Sequence, residues 1–269
     1  MFYADYHIHS LYSFDSMADL NDICQYAVRM NLREIALTDH LDLHYPYGKW
    51  DPHYLAHETQ REASVKQMQD KYRGVLQIRY GLELGQPTRD DDFLQAFLST
   101  RQFDFILGSI HYTTDEREIL AIPYNDFETA NEVLIEYFQN VLQMLDCDRF
   151  DVVAHICHPL RVMENAFAKP SLLQYADYIE PILKKMIEKG KGLEVSTKGM
   201  RYWIRSFEPE PEFLKMYHDL GGELITVGTD SHEACTVGSS VAEAYAYIKR
   251  AGFQYITTYA NHQPTQHRI

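Results

Sequence analysis

The sequence predicts an α/β barrel, and three features predict it. Short apolar, β-branched or aromatic runs alternate with longer stretches of helical spacing, the rhythm of a βα repeat. Many of these runs are apolar almost throughout, as strands are in a parallel sheet covered on both faces. The chain is 269 residues long, and no Pro-, Gly- or Ser-rich stretch splits it into halves of different composition. A single domain of seven or eight βα units over residues 1–269 fits that length.

Strands are expected near 2–7, 34–38, 76–84, 103–110, 151–156, 192–197, 223–229 and 253–259. The last of these is one more than a seven-stranded barrel needs and belongs either to the barrel or outside it. Between the first two, Leu20, Ile23, Cys24, Ala27 and Val28 fall on one face of a helix that Asp19 or Ser16 can cap. Helical spacing also covers 54–73, 127–145, 171–190, 210–220 and 239–251, and Pro181 must kink or divide the fourth of these six helices. The stretch 41–53, rich in aromatics, Pro and His, is expected to be a loop over the carboxyl-terminal face, where barrel enzymes keep their sites. His44, Tyr45, Tyr47 and Trp50 would form part of a lid there or pack the loop down.

Composition excludes several classes of function. With 25 Lys plus Arg against 39 Asp plus Glu, the formal charge of −14 repels nucleic acid and anionic membranes, and no basic run offers a local exception. No run of eighteen apolar residues and no signal peptide occur, so a cytoplasmic protein is expected, with no membrane partner. Cys24, Cys147, Cys157 and Cys235 are scattered without a CxxC pair and read as reduced core thiols. Monomer and homo-oligomer are equally open.

The thirteen histidines are the unusual feature. His7 and His9, His40, His111, His155 and His232 all fall at or just beyond expected strand ends, and Asp15, Glu83 and Asp230 accompany them. Residues two apart on a strand point the same way, so His7 and His9 can share one ion, and Asp230 with His232 repeats the spacing. One HxH alone is ordinary; strand after strand ending in His, Asp or Glu points to a metal cluster. Mixed nitrogen and oxygen donors without thiolate suit zinc, manganese or iron. His53, His57, His218, His262 and His267 read as structural or solvated, as does His44 outside its lid role, and His158, just before Pro159, is ambiguous.

The order HxHSxxSxD at 7–15, TDH at 38–40, GLE at 81–83, GSxH at 108–111, an apolar strand ending in His155, and TDSH at 229–232 resembles the polymerase-and-histidinol-phosphatase (PHP) superfamily. The likeness runs from residue 5 to about residue 240. Within that superfamily the chain resembles the stand-alone histidinol-phosphate phosphatases more than the domains attached to DNA polymerases. The resemblance implies a distorted TIM-like (β/α)7 barrel with three divalent ions. His7, His9, Glu83 and Asp230 would hold the first, Glu83, His111 and His155 the second, and Asp15, His40 and His232 the third. Many relatives carry His where this chain has Asp15.

The implied reaction is hydrolysis of L-histidinol phosphate to L-histidinol and phosphate by a metal-bridging hydroxide, with Glu83, His111, Asp230 and His232 in the catalytic group. A PHP-type phosphoesterase acting on another small phosphate, a nucleotide or a phosphodiester is the alternative. Three divalent ions outweigh the carboxylates of Asp15, Glu83 and Asp230, so a globally acidic chain can still attract a phosphate dianion. Arg161, Lys198 and Arg201 follow expected strands and are candidate phosphate contacts, Arg161 first. Other phosphatase signatures and the P-loop and GxSxG motifs are absent. An amidohydrolase-like barrel would bridge its metals with a lysine from an early strand end, where this chain has Glu83. A non-catalytic relic would have lost ligands, and all nine positions keep donors.

Overall fold

A computed structural model describes residues 1–43, 51–167 and 171–269. The strands β1 (Ala4–Ile8), β2 (Glu34–Leu37), β3 (His40–Asp42), β4 (Gln77–Gly85), β5 (Phe105–Ser109), β6 (Val152–Val153), β7 (Gly192–Ser196) and β8 (Ile225–Gly228) form one parallel sheet. Its order is β1-β2-β4-β5-β6-β7-β8, and β3 extends β2 along the same neighbour, pairing His40 with Glu83. The break between them falls at Thr38 and Asp39, where the Thr38 N–H turns to the Ile8 carbonyl at 2.8 Å. β2 and β3 therefore act as one stave, and the sheet has seven.

Closure comes from β1 meeting β8. The His9 N–H donates to the Ser231 carbonyl at 2.8 Å, and Asp5 accepts from the Thr229 N–H at 2.9 Å. The sheet is thus a nearly closed TIM-like barrel, as the sequence predicts. The eighth expected strand does not join it: β9 (Tyr255–Ala260) pairs antiparallel with β10 (Gln263–Arg268) as a separate hairpin.

Among the described residues seven α-helices follow the staves: α1 (Leu20–Arg29), α2 (Pro52–Lys71), α3 (Asp91–Ser99), α4 (Phe127–Met144), α5 (Ala176–Glu188), α6 (Pro211–Asp219) and α7 (Val241–Arg250). Asp19, not Ser16, caps α1 by accepting from the Asn21 and Asp22 N–H groups, and Asp51 caps α2 ahead of Pro52. The sequence reading assigned no helix to α3. It is nine residues long and follows an acidic run, a pattern too short to stand out, although Asp90 caps it through the Phe93 N–H. The expected 171–190 helix is divided before Pro181, where a 3-10 turn at Leu172–Tyr175 gives way to α5. Pro181 then sits early enough in α5 that the acceptor left without its bond, Asp177, is in the first turn.

The barrel wall separates two cores. Ile35, Leu37, Ile106, Val153, Leu193, Val195, Ile225 and Val227 pack outward against the helices. Ala4, Tyr6, Ala36, Phe105, Leu107, Val152 and Ala154 pack together with Tyr259 of the hairpin, and fill the inside at the amino-terminal end. The β1 register explains how Tyr6 and His7 both reach the interior. Ala4 and Asp5 pair with Glu34 and Ile35, but Leu37 pairs with Ile8, so β1 holds one extra residue. Such a bulge reverses the alternation, sending Ala4 and Tyr6 inward below it and His7 and His9 inward above it.

Of the cysteines, Cys24 and Cys157 are buried, Cys147 is half-buried and Cys235 is exposed. The core-thiol expectation is corrected for Cys235, which lies on the 3-10 turn Ala234–Thr236 after β8. His44, Tyr45, Tyr47 and Trp50 lie outside the described residues. Among the described residues no helix is long and apolar enough to cross a membrane.

Candidate metal centre

Parallel staves carry their carboxyl ends to one face, so residues at strand ends converge there whatever their separation in sequence. Glu83, fully buried on β4, lies at the middle of that convergence. Its Oε2 is 3.1 Å from His7 Nε2, 3.3 Å from His9 Nε2 and 3.0 Å from His40 Nδ1. Its Oε1 is 2.9 Å from His155 Nε2 and 3.2 Å from His111 Nε2. Asp230 Oδ1 adds a second carboxylate 3.5 Å from His9 Nε2 and 3.9 Å from His7 Nε2. To one side, Asp15 Oδ2 lies 2.9 Å from His232 Nε2 and 3.7 Å from His40 Nε2. All nine expected donors thus meet in one cluster.

The donor set fits divalent metal ions. Ligand atoms of a tetrahedral site with metal–nitrogen distances near 2.0–2.1 Å lie about 3.3 Å apart. The His7, His9 and Glu83 Oε2 atoms are separated by 3.0, 3.1 and 3.3 Å, and the His111, His155 and Glu83 Oε1 atoms by 3.5, 3.2 and 2.9 Å. Two imidazole nitrogens facing each other at 3.0 Å, as in His7 and His9, make sense when both lone pairs address one cation. Ligand atoms of His9, His40 and His232 also lie within 4.8 Å of one another.

Electrostatics agree that this space calls for positive charge. Burial alone would raise the Glu83 and Asp230 carboxyls, yet the surrounding imidazoles and, at Asp230, Lys198 hold both well below the usual carboxylate range. Burial alone would lower the imidazoles, but Glu83 and Asp15 push His40 up to about 9, and Asp42 and Glu83 push His111 up to about 10. His155, buried beside Arg161 and His111, is pushed down to about 4.

The PHP domain family matches residues 5–198 of the chain. The chain belongs to the PHP domain family. This PHP chain is similar to the histidinol-phosphatase of Lactococcus lactis, 26% identical over 267 residues that cover 95% of this chain and 94% of the relative. It is likewise similar to a Thermotoga maritima protein named "Probable histidinol-phosphatase", 26% identical over 94% of each chain. Among solved structures, the histidinol phosphate phosphatase of Lactococcus lactis, complexed with zinc, L-histidinol and phosphate, superposes with a TM-score of 0.80 over 98% of each chain at 24% identity. That last likeness establishes the common fold.

Of the three expected phosphate contacts, Lys198 lines a cavity of about 80 Å³ above the cluster, with Phe14, Tyr112, Glu118, Leu120 and His158. Its Nζ lies 2.8 Å from Asp230 Oδ1. Arg161 is buried behind that carboxylate, donating to Asp230 Oδ2 at 2.8 Å, to Glu208 Oε2 at 2.8 Å and to Ser196 Oγ at 3.2 Å. Arg201 donates to the Thr229 carbonyl and to Ser239 Oγ. His158 turns out to belong to the site, its ring 4.7 Å from that of His155. Among the other described histidines, His218, His262 and His267 sit at the opposite end of the barrel, near Phe253, Asp151 and Phe2.

Several supporting residues escaped the sequence reading. Asp42 faces His111 Nδ1 at 3.2 Å, and Ser13 Oγ lies 3.0 Å from His9 Nδ1. Ser13 and Ser10 donate to Asp39, whose other oxygen accepts from buried Arg61 at 2.6 Å. Glu194 lies against His7. The available signals were His40-Leu41-Asp42, a third pair at strand spacing, and one carboxylate inside the apolar run 192–197.

Proposed function

We propose that this chain hydrolyses L-histidinol phosphate to L-histidinol and phosphate with three divalent ions. The observation that carries the reading is the division of donors around Glu83, whose two oxygens address two separate imidazole sets, while Asp15 and His232 stand to one side and His40 reaches both Glu83 and Asp15. His7, His9, Glu83 and Asp230 would hold one ion, Glu83, His111 and His155 a second, and Asp15, His40 and His232 the third. Zinc, manganese and iron all suit these donors. Bound there, divalent ions polarise phosphoryl oxygens and lower the pKa of water to near neutrality.

The chain's own residues supply the rest. Glu83, His111, Asp230 and His232 form the catalytic group through their hold on the ions. Lys198, the only lysine or arginine among the described cavity residues, presents its ammonium to the phosphate. Arg161 and Arg201 support it from behind, Arg161 by fixing Asp230 and Arg201 by tying down the Thr229 carbonyl beside it. Glu118 at the rim offers an acceptor to an ammonium or imidazole, and Phe14, Tyr112 and Leu120 exclude water around the organic part. The names and near-complete coverage of the 26% identical relatives support histidinol phosphate as that substrate.

The test is phosphate release from histidinol phosphate beside sugar phosphates, nucleotides and a phosphodiester, with protein of assayed metal content. A clear kcat/KM preference for histidinol phosphate is expected. Better turnover of another ester would reassign the substrate, and no turnover with ions bound would refute the hydrolytic reading.

A further inference from the structure

Glu194 is a carboxylate of this centre that touches no metal-facing atom. It lies on the inner face of β7, fully buried. Oε1 is 2.7 Å from His7 Nδ1, the ring nitrogen turned away from the cluster, and Oε2 accepts the His155 backbone N–H at 2.7 Å. His7 and His155, whose rings lie 5.5 Å apart, face different oxygens of Glu83. One side chain therefore spans both halves of the donor set.

Two further observations set Glu194 apart from a packed acid. On β8 the carboxylate reaches past its paired residue, Thr226, to Gly228, where a Cβ would collide with Glu194 Oε1 and with His7 Cβ. The barrel leaves out a side chain at this point to admit the carboxylate. His155 has a φ of 23°, a conformation that side-chain-bearing residues hold only when neighbours enforce it. Glu194 grips its N–H, while Tyr137 Oη and the His158 N–H both donate to its carbonyl, at 3.2 and 2.7 Å.

We propose that Glu194 is a positioning residue that sets the tautomer of His7 and the backbone of His155 together, coupling ligands of two ions. An ionised carboxylate only accepts, so the proton of His7 sits on Nδ1 and its Nε2 lone pair faces the ion. The inference rests on the metal-centre reading and is independent of the substrate.

Glu194→Gln tests it, because a carboxamide has one acceptor and one donor end. The His155 N–H can only donate and takes the oxygen, which leaves the amide N–H facing His7 Nδ1. His7 must then carry its proton on Nε2, the atom meant for metal. In zinc-loaded protein, ¹⁵N NMR of the histidine rings is expected to report Nδ1–H for His7 in the wild type and Nε2–H in Glu194→Gln. Zinc retention against a competing chelator is expected to weaken by about 10–100-fold in the variant. Equal retention with an unchanged His7 tautomer would overturn the proposal. If Glu194→Gln does not fold, the wild type decides alone, since Nε2–H on its His7 is incompatible with the proposed role. A wild-type protein that takes up no zinc would refute the metal-centre reading and this inference with it.

Discussion

The two ends of the barrel interior are built on the same staves with the same alternation, yet one is filled with rings that touch and the other with donors that converge. At the amino-terminal end Tyr6, Phe105 and Tyr259 pack at ring separations of 4.9 Å and 5.1 Å, and the hairpin seals them by offering the Tyr259 N–H to Tyr6 Oη at 2.8 Å. At the carboxyl-terminal end one buried carboxylate faces five imidazoles, and both His155 and Asp230 adopt positive φ. The plug gains from burying apolar surface, whereas the cluster gathers buried polar groups that only cations can fully satisfy. Stability and function are thus assigned to opposite ends of one interior.

The contrast can be broken first at Glu83. Glu83→Gln should lower kcat/KM by about 10³-fold or more, about 4 kcal/mol of transition-state stabilisation, because it removes the carboxylate that faces both imidazole sets. Thermal melts in chelator should meanwhile give a Tm no lower than wild type, since the metal-free cluster is itself unfavourable. A large Tm loss in chelator would mean that the cluster also builds the fold.

At the other end Phe105→Ala should cost about 3–5 kcal/mol in denaturant unfolding and leave kcat/KM of the folded, metal-loaded protein near wild type. A matching loss of activity would deny the division between the ends. A smaller effect should come from each ion taken singly. Metal at one hundred times its Kd should add about 2.7 kcal/mol for each site bound in the native state alone, raising Tm by about 5–10 °C per site over the chelated protein. An unchanged Tm would mean that native and unfolded chains bind metal equally. Tyr259→Phe should have the smallest effect. The Tyr259 hydroxyl is buried without a hydrogen-bond partner among the described residues, so its removal should shift stability by less than about 1 kcal/mol, in the favourable direction. A clear loss would assign the hydroxyl a role in the plug.

Much of the centre is legible in the chain because metal ligation and strand geometry both leave local marks. His7-Ile8-His9 carries the two-residue spacing that turns both donors to one side, Asp230 and His232 repeat that spacing just beyond β8, where a positive φ at Asp230 departs from strand geometry, and each apolar run announces where its stave ends. The supporting groups leave no such mark. A lone Glu at 194 has many ordinary explanations, and its partner His7 is 187 residues away in sequence. The cations show the same limit. Arg161, Lys198 and Arg201 look alike as bases after strands, but Lys198 reaches the cavity while the two arginines find carboxylate or carbonyl partners beneath it.

By itself the sequence determined the βα alternation, the family and the nine donors, since these rest on periodicity and on motifs whose parts are near neighbours. Only the tertiary structure decided that β9 leaves the barrel to cap it, that Thr38 and Asp39 split one stave into β2 and β3, and which cation meets the cavity. It alone revealed the bulge in β1 that lets Tyr6 join the plug and His7 the cluster. Each of these depends on what a residue meets across the barrel, and burial and pairing between distant segments settle that.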